Sequence, residues 1–382
     1  MRILFYSSYF YPYTSGITTY PFKILSHLAK KHKITALTFN HKKNELEEES
    51  INGFKIIRMP YLIKLYKGFI SPQSLLYFYN QLEKNDLVIV NLPNIEGLIL
   101  TLLSRLFGKE VISILHCFLG FSNKIHLKII NSVTNFIILL QLILSNKIIS
   151  YTNDYVNNLP IARLVKNKTQ TVFPPIFKLA ISKTRLKNLL NLKRKNIWIG
   201  YAGRISNEKS LEYLIESVSP IGWRNRLSTG VELVFAGPYG KDVAGENSYY
   251  LKIKKILNKK RIKHRFLGNL TNGDLGAFYK SIDILVLSSI NRTEAFGMVQ
   301  VEAMLLGTPV IASNLPGVRV PIRLTKMGIL VQPKNSEQIT EAINKILKNK
   351  KKYSNQKLIK NASKIFDIKK VYKFYDNLID EK

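Results

Sequence analysis

Short apolar, β-branched segments alternate along the chain with longer segments in which apolar residues recur at helical spacing. This alternation predicts parallel strands joined by crossover helices. Because most of these short strand segments are apolar, we expect both faces of the sheets to be covered. In the first half, helices are predicted at Ile17–Lys31 and Pro72–Glu83. The strands predicted there are Ile3–Tyr6, Ile34–Thr38, Lys55–Met59, Leu87–Asn91, Val111–Leu115 and Ile148–Ser150.

The pattern is interrupted at Val172–Ile176, where Pro174 and Pro175 fit neither a central strand nor a helix interior. We interpret this segment as a linker, and the alternation restarts after it. The helices predicted there are Lys178–Lys195, Ser210–Val218, Gly273–Lys280 and Phe296–Leu306. The strands are Trp198–Ala202, Glu232–Ala236, His264–Leu267, Ile282–Leu287, Val310–Ala312 and Gly328–Val331.

This organisation predicts an α/β protein with two Rossmann-like domains that face each other across a cleft. Residues 1–173 would form the N-terminal domain and 177–355 the C-terminal domain. Residues 356–382 would form a C-terminal helix that packs back on the N-terminal domain, since apolar residues recur at helical spacing through Ile365–Ile379. Ligands of open α/β sheets bind beyond the carboxyl ends of the strands.

The net charge of +33 is extreme for 382 residues, with 58 Lys and Arg against 25 Asp and Glu. A coding bias towards Lys, Ile and Asn and a functional basic surface both remain open as explanations. Among functional partners, an anionic membrane surface fits dispersed lysines better than a nucleic acid, because no nucleic-acid-binding module is recognisable. The basic residues include Lys30, Lys31, Lys33, Lys64, Lys67, Lys259, Lys260, Arg261, Lys263 and those from Lys345 to Lys373.

The longest apolar run, Phe136–Leu144, is too short to span a bilayer, so we expect a core-facing helix. A helix that lies on a membrane is the alternative. The single cysteine, Cys117, excludes an internal disulfide framework and fits a reducing compartment. The N-terminus is too short in apolar length for a signal peptide. We therefore expect a cytoplasmic protein, with a position on the inner face of the cytoplasmic membrane left open.

The strongest motif is the segment Thr293–Met304, in which seven residues separate Glu294 from Glu302. If it were helical, the two carboxylates would lie roughly 12 Å apart, about the distance from ribose to hexose in a nucleoside diphosphate sugar. Carboxylates accept hydrogen bonds from vicinal hydroxyls. Amides at the helix start, at Gly297, Met298 and Val299, would face the diphosphate. The alternative is two surface glutamates on an amphipathic helix.

Two cations follow the first strand of the second half. Arg204 stands at the end of that strand and Lys209 at a helix start, a pair that suits a diphosphate leaving group. A lysine at a helix N-terminus is unfavourable without an anion, which favours a functional role over a surface position.

Two weaker candidates lie in the first half. Gly16 stands near a helix start after the first strand, in a loop without a dinucleotide fingerprint. His116 follows the strand Val111–Leu115, where it could touch a sugar or relay a proton, although a lone histidine is more often structural. The remaining histidines show no metal-ligand spacing and there is no D-x-D motif, so we predict no metal site.

Together, Glu294-x7-Glu302, Gly203-Arg204 with Lys209, Ser15-Gly16 and Pro174-Pro175 resemble the family 4 retaining glycosyltransferases of the GT-B fold. The resemblance covers nearly the whole chain. It implies that Glu294 contacts the donor sugar, Glu302 the ribose, and Arg204 and Lys209 the diphosphate. It also implies that His116 lies beside the sugar. Backbone at Gly16 and from Phe296 to Val299 would complete the pocket, and backbone near Leu270 would face the base.

The implied reaction is metal-independent hexosyl transfer with retention, from a UDP- or GDP-sugar used as substrate rather than as cofactor. Because no carboxylate nucleophile is evident, a same-face displacement is favoured, in which the leaving diphosphate deprotonates the acceptor. The acceptor would be a saccharide or a lipid-linked molecule in cell-envelope glycan synthesis. A nucleotide-sugar epimerase on the same fold and a basic nucleic-acid-binding protein remain as alternatives.

Overall fold

The computed structural model describes residues 1–381 except 14, 42–45, 66–67, 121–124, 220–229, 241–242 and 244–245. Its internal contacts divide the chain into two compact units. The first comprises Met1–Pro175 with Ile368–Lys382, and the second comprises Ile176–Asp367.

The first unit is built on an eight-stranded sheet of order β10-β9-β8-β7-β1-β2-β4-β3, in which only β3 runs antiparallel to its neighbour among the described strands. The six predicted strands are all present. The missed β3 and β10 are short and polar, and β5 and β6 form a separate hairpin. The strands are β1 Arg2–Tyr6, β2 Lys33–Phe39, β3 Glu48–Ile51, β4 Phe54–Met59, β5 Ile63–Leu65, β6 Gly68–Ile70, β7 Leu87–Leu92, β8 Glu110–Leu115, β9 Lys147–Ser150 and β10 Thr169–Thr171.

Helices connect these strands, because parallel neighbours need crossover connections. Residues in the middle of the central strands, such as Leu4, Val88 and Ile112, are fully buried. The helices are α1 Gly16–Leu28, α2 Ser74–Leu82, α3 Gly97–Leu106, α4 Ile125–Leu144, α5 Asn153–Asn157 and α6 Ala162–Val165.

Helix α4 differs from the prediction. It has 20 residues and begins well before Phe136, so the apolar run Phe136–Leu144 is only the C-terminal part of a longer helix. Among the described residues, Leu127–Leu144 is the one helical segment long and apolar enough to cross a membrane by length and composition, and 22% of it is buried. Ile138 and Leu142 face the core, whereas Phe136 is exposed. The helix is therefore core-facing on one side only.

The second unit has a parallel six-stranded sheet of order β13-β12-β11-β14-β15-β16, the arrangement of a doubly wound Rossmann sheet. All six predicted strands are present. The strands are β11 Ile197–Ala202, β12 Val231–Ala236, β13 His264–Phe266, β14 Ile284–Leu287, β15 Val310–Ser313 and β16 Gly328–Val331. The helices are α7 Lys183–Lys193, α8 Leu211–Ser217, α9 Asn247–Lys259, α10 Asn272–Ser281, α11 Met298–Leu305, α12 Val320–Thr325, α13 Ser336–Lys348, α14 Lys350–Tyr353 and α15 Gln356–Ile365.

The end of the chain is shared between the units. Helix α15 belongs to the second unit because it packs on α11 and α12, although the sequence analysis placed residues from 356 onward in the returning segment. Helix α16, Ile368–Asp380, packs on α1 of the first unit. There the buried hydroxyls of Tyr20 and Tyr375 are 2.6 Å apart. His27 Nε2 lies 2.9 Å from Asp376 Oδ1.

Candidate functional site

The strand order of the second sheet reverses between β11 and β14. Beyond these two strands lie the loop that carries Arg204 and Lys209 and the loop that carries Glu294. Ligands of doubly wound sheets bind at this switch point, because the adjacent loops turn to opposite faces and leave a crevice. The topology thus brings together candidates that are about ninety residues apart in sequence.

Lys209 and Glu294 form an ion pair, with Nζ and Oε2 2.6 Å apart. The Ser289 hydroxyl donates a hydrogen bond of 3.3 Å to the same carboxylate oxygen. Burial by itself lowers the pKa of Lys209, but the charges of Glu294 and Glu208 outweigh it, so the pKa is raised and the ammonium stays charged at neutral pH.

This pair changes the interpretation of Lys209. The sequence suggested a helix-start lysine that lacked an anion, whereas Lys209 closes a short 3-10 turn, Asn207–Lys209, and Ser210 separates it from α8. Glu294 supplies the anion from a distant loop. The Ser288 hydroxyl donates to the Lys209 carbonyl oxygen at 3.2 Å, which fixes the turn against the end of β14.

Arg204 lies at the same edge of the sheet. Its Nη2 is 2.8 Å from Glu208 Oε1, and its side chain is 35% exposed, so the guanidinium is available to solvent. The buried Tyr201 hydroxyl donates to the Arg204 carbonyl oxygen at 2.7 Å. The backbone that presents the guanidinium is therefore held from within the core.

Helix α11 starts at Met298, so the residues from Glu294 to Gly297 are not helical and the helical-rise estimate does not apply across them. Gly297 has a φ of +76°, and a Cβ there would lie 2.5 Å from Leu287 Cδ2, so the position requires glycine. No side chain caps this helix. The amides of Gly297, Met298 and Val299 have no partner within the helix and can receive an anion. Phe296 is buried, so only its backbone can reach a ligand.

Glu302 lies on α11, and its Oε2 accepts a hydrogen bond of 2.8 Å from the hydroxyl of Tyr279 on α10. Tyr279 is fully buried, and burial together with the charge of Glu302 raises its pKa well above the ordinary value. The carboxylate is thus held from the core side by a neutral phenol. Nothing in the sequence pattern pointed to Tyr279.

Leu270 lies between β13 and α10, at the carboxyl edge of the sheet. The amide of Gly237 donates to the Gly268 carbonyl oxygen at 2.8 Å, which holds this loop beside the end of β12. Thr271 caps α10 by accepting from the Asp274 amide. The predicted contact between backbone near Leu270 and a base stays a prediction.

In the first unit, hydrogen bonds of Asn91 connect the surroundings of the two predicted residues, Gly16 and His116. The strand order reverses between β1 and β7, and Asn91 lies at the end of β7. Its Nδ2 donates to Ser7 Oγ at 3.0 Å and to the Ile17 carbonyl oxygen at 3.2 Å, next to Gly16 at the start of α1. Its Oδ1 lies 2.6 Å from His116 Nε2. A polar residue inside the apolar strand Leu87–Leu92 was the signal for Asn91 that sequence reasoning missed.

His116 is 2% exposed, and burial lowers its pKa to about 3, so the ring is neutral at physiological pH. Because the amide nitrogen of Asn91 is used elsewhere, its oxygen accepts from Nε2–H, and Nδ1 accepts from the Tyr151 hydroxyl. Both ring nitrogens are occupied. Contact between His116 and a sugar stays a prediction, and it would require the sugar to replace Asn91 or Tyr151 as a hydrogen-bond partner of the ring. The predicted contact between the Gly16 backbone and the donor also stays a prediction.

Within the described part of the chain, no group of three or more His, Cys, Asp or Glu residues is placed to hold a metal ion.

Comparison with known proteins gives a family match over part of the chain and a fold match over all of it. Residues 182–365 match the model of the family described as glycosyl transferases group 1. An uncharacterized glycosyltransferase of Methanocaldococcus jannaschii is 30% identical over 167 residues, or 43% of this chain and 39% of that protein. A D-inositol 3-phosphate glycosyltransferase of Corynebacterium efficiens is 30% identical over 133 residues, 35% of this chain and 30% of the relative. The chain thus spans less than half the length of these relatives.

Solved structures match the whole chain. HepE of Anabaena in complex with UDP and glucose has a TM-score of 0.78 at 18% identity, with 100% of both chains covered. Sucrose-phosphate synthase from Thermosynechococcus elongatus has a TM-score of 0.77 at 16% identity, again with 100% of both covered. At these identities the likeness shows the fold, so the predicted GT-B class with two Rossmann-like domains is confirmed.

Proposed function

We propose that the chain is a retaining glycosyltransferase, because residues 182–365 match the model of the glycosyl transferases group 1 family. It would move a hexose from a nucleoside diphosphate sugar, UDP- or GDP-linked, to an acceptor. The observation that carries the proposal is the position of Arg204 and Lys209 at the switch point of the second sheet, beside the start of α11.

The charges at this site suit a diphosphate. Two cations and the first-turn amides of α11 all favour an anion, and a positively charged side chain stabilises the charge that develops on a departing diphosphate. When the diphosphate binds Lys209, Glu294 is freed from its ion pair and can accept hydrogen bonds from the sugar. Glu302 accepts from the ribose hydroxyls, with Tyr279 holding it in place.

The proposed reaction breaks the bond between the anomeric carbon and the diphosphate oxygen and forms a bond from the same face to the acceptor oxygen. The acceptor proton passes to the departing diphosphate. Arg204 and Lys209 supply the positive charge, so the proposal includes no resident metal or other cofactor. Catalysis then rests on charge stabilisation and positioning.

The acceptor we propose is a saccharide or lipid-linked molecule of cell-envelope glycan synthesis, bound by the first unit, with the enzyme in the cytoplasm. The support for a lipid-linked acceptor is the strongly basic composition together with the exposed apolar residues of α4. Neither an epimerase nor a nucleic-acid-binding protein has a specific observation in its favour.

A donor panel tests the proposal. The purified chain is incubated with UDP-, GDP- and ADP-sugars, and nucleotide release is followed for the wild type, Lys209→Met and a control, Lys252→Met. Lys252 is also paired with a glutamate, Glu212, but lies exposed on α9. We expect release from one donor, lowered about 100-fold in Lys209→Met and unchanged in the control.

Two outcomes would contradict the proposal. Conversion of the donor sugar without nucleotide release would identify an epimerase. Absence of both release and calorimetric binding for every donor would remove the transferase activity.

A further inference from the structure

Helix α4 exposes a stripe of apolar residues on one side, from Ile125 to Ile143. The exposed residues follow one another at spacings of three, four and seven, so they lie on one side of the helix. Ile125 is 77% exposed and Phe136 is 59% exposed. The stripe consists of Ile125, Ile129, Val133, Phe136 and Ile143.

The stripe continues onto the two neighbouring helices. Helix α3 packs on α4 and exposes Ile99, Leu102 and Leu106, of which Leu106 is 81% exposed. Helix α2 packs on α3, and the rings of Tyr79 and Phe107 are 5.6 Å apart at their junction. We call this surface the apolar face: Leu76, Tyr79, Ile99, Leu102, Leu106, Phe107, Ile125, Ile129, Val133, Phe136 and Ile143. Monomeric proteins rarely leave so extended an apolar surface to water.

The other side of α4 is fixed to the fold. Asn131 Nδ2 donates to the Gly120 carbonyl oxygen at 2.6 Å, and Gln141 Nε2 donates to the Asn94 carbonyl oxygen at 2.9 Å. The side-chain oxygen of Asn135 accepts from the backbone amide of Leu119, and its side-chain nitrogen donates to the carbonyl oxygen of the same residue. A helix that crossed a bilayer would lose these bonds in a medium that cannot replace them. Helix α4 therefore presents its apolar side while it stays in place.

The charge around the apolar face is positive. Helices α2, α3 and α4 contain no Asp or Glu. From residue 74, at the start of α2, to residue 168 the sequence has nine Lys and Arg against five carboxylates, Glu83, Asp86, Glu96, Glu110 and Asp154. Among the cations, Arg105 and Lys128 are exposed on α3 and α4, and Lys168 donates to the Ile143 carbonyl oxygen at the end of α4.

We propose that the apolar face docks the chain on an anionic bilayer. Helix α4 lies in the plane of the interface with its apolar side among the acyl chains, and the flanking cations contact the lipid headgroups. A second copy of the chain fits less well, because pairing two such faces would bring two sets of cations and two chains of charge +33 together. The surface is separate from the candidate donor site, so it does not depend on the proposed transfer reaction.

Vesicle co-sedimentation of the full chain tests the docking. Vesicles of phosphatidylcholine alone are compared with vesicles that contain about 30% phosphatidylglycerol, at about 0.1 M salt. We expect the wild type to sediment with the anionic vesicles and several-fold less with the neutral ones. Phe136→Glu and Ile129→Glu should each lower partitioning about tenfold or more, because each places a carboxylate in the apolar stripe.

The matched control is Leu251→Glu, the same change at a leucine of the second unit that is 54% exposed. It should keep wild-type partitioning, and all variants should keep wild-type thermal unfolding and donor binding. The proposal is overturned if the wild type does not bind anionic vesicles, or if the control loses binding equally. A wild-type dimer by light scattering that Phe136→Glu makes monomeric, without vesicle binding, would instead assign the face to a second copy.

Discussion

Glu302→Ala separates ligand binding from folding at the candidate donor site. In the wild type, Glu302 has two tasks: it accepts from the buried Tyr279 hydroxyl at 2.8 Å, and we propose that it accepts from the donor ribose. Alanine cannot make either of these hydrogen bonds. A second change, Tyr279→Phe, removes only the buried hydroxyl, so the two effects can be measured independently.

The magnitudes follow from these contacts. Leaving the Tyr279 hydroxyl buried without this acceptor costs about 1–3 kcal/mol of stability in Glu302→Ala. Adding Tyr279→Phe to Glu302→Ala should recover most of that loss, because no polar group then remains unsatisfied. Loss of the hydrogen bonds that the carboxylate accepts from the ribose hydroxyls costs about 1.5–3 kcal/mol, which weakens donor affinity roughly 10- to 150-fold. The double variant should not recover this affinity.

Denaturant unfolding measures the stability, and titration calorimetry with the donor identified by the panel measures the affinity. Glu341→Ala, at an exposed glutamate of α13, is the control and should change neither. If Glu302→Ala binds donor as tightly as the wild type, the ribose assignment is wrong. If the double variant regains both stability and affinity, Glu302 acts only through the fold.

Three further predictions follow from the same contacts. Excess EDTA should leave nucleotide release unchanged, since Arg204 and Lys209 supply the positive charge; a loss that Mg²⁺ restores would contradict this. Because burial lowers the pKa of His116 from 6.5 in the unfolded chain to about 3, its neutral form stabilises the fold above pH 6.5, and that contribution falls as pH drops. Relative to His116→Gln, the wild type should lose up to about 1.4 kcal/mol of unfolding free energy per pH unit between pH 6 and 5, and parallel pH profiles would refute this. Tyr375→Phe should lower the free energy of unfolding by about 1 kcal/mol, because the Tyr20 hydroxyl loses its buried partner. A double-mutant cycle with Tyr20→Phe, measured by urea unfolding, should show a coupling energy of similar size, and the absence of coupling would contradict the contact.

Sequence patterns identified twelve of the parallel strands because nearly all of them are apolar runs between polar turns; β13, His264–Phe266, is the polar exception. They missed β10, Thr169–Thr171, whose residues are polar and whose strand character comes only from pairing with β9. They also singled out only Phe136–Leu144 within α4, which begins at Ile125. Asn131 and Asn135 interrupt the apolar run, yet their side chains turn inward and bond the backbone of the preceding loop.

Within the candidate site, the cations and carboxylates were predictable because their spacing is local. Their partners were not. Tyr279 reaches Glu302 and Tyr151 reaches His116 across 23 and 35 residues, distances over which no local periodicity carries information. The Lys209–Glu294 pair spans 85 residues and depends on β11 and β14 being neighbours, a property of sheet order rather than of either segment.

The shared chain end has a consequence for biosynthesis. A ribosome makes residues 1–175 before the second unit, but the first unit also contains α16, so Tyr375, the partner of Tyr20, is made only after the whole second unit. The second unit is one continuous stretch, Ile176–Asp367, and can complete its sheet while α16 is still in the exit tunnel. Vectorial synthesis should therefore finish the later unit before the earlier one. A released chain that lacks Ile368–Lys382 would therefore hold a protease-sensitive first unit and a protease-resistant second unit.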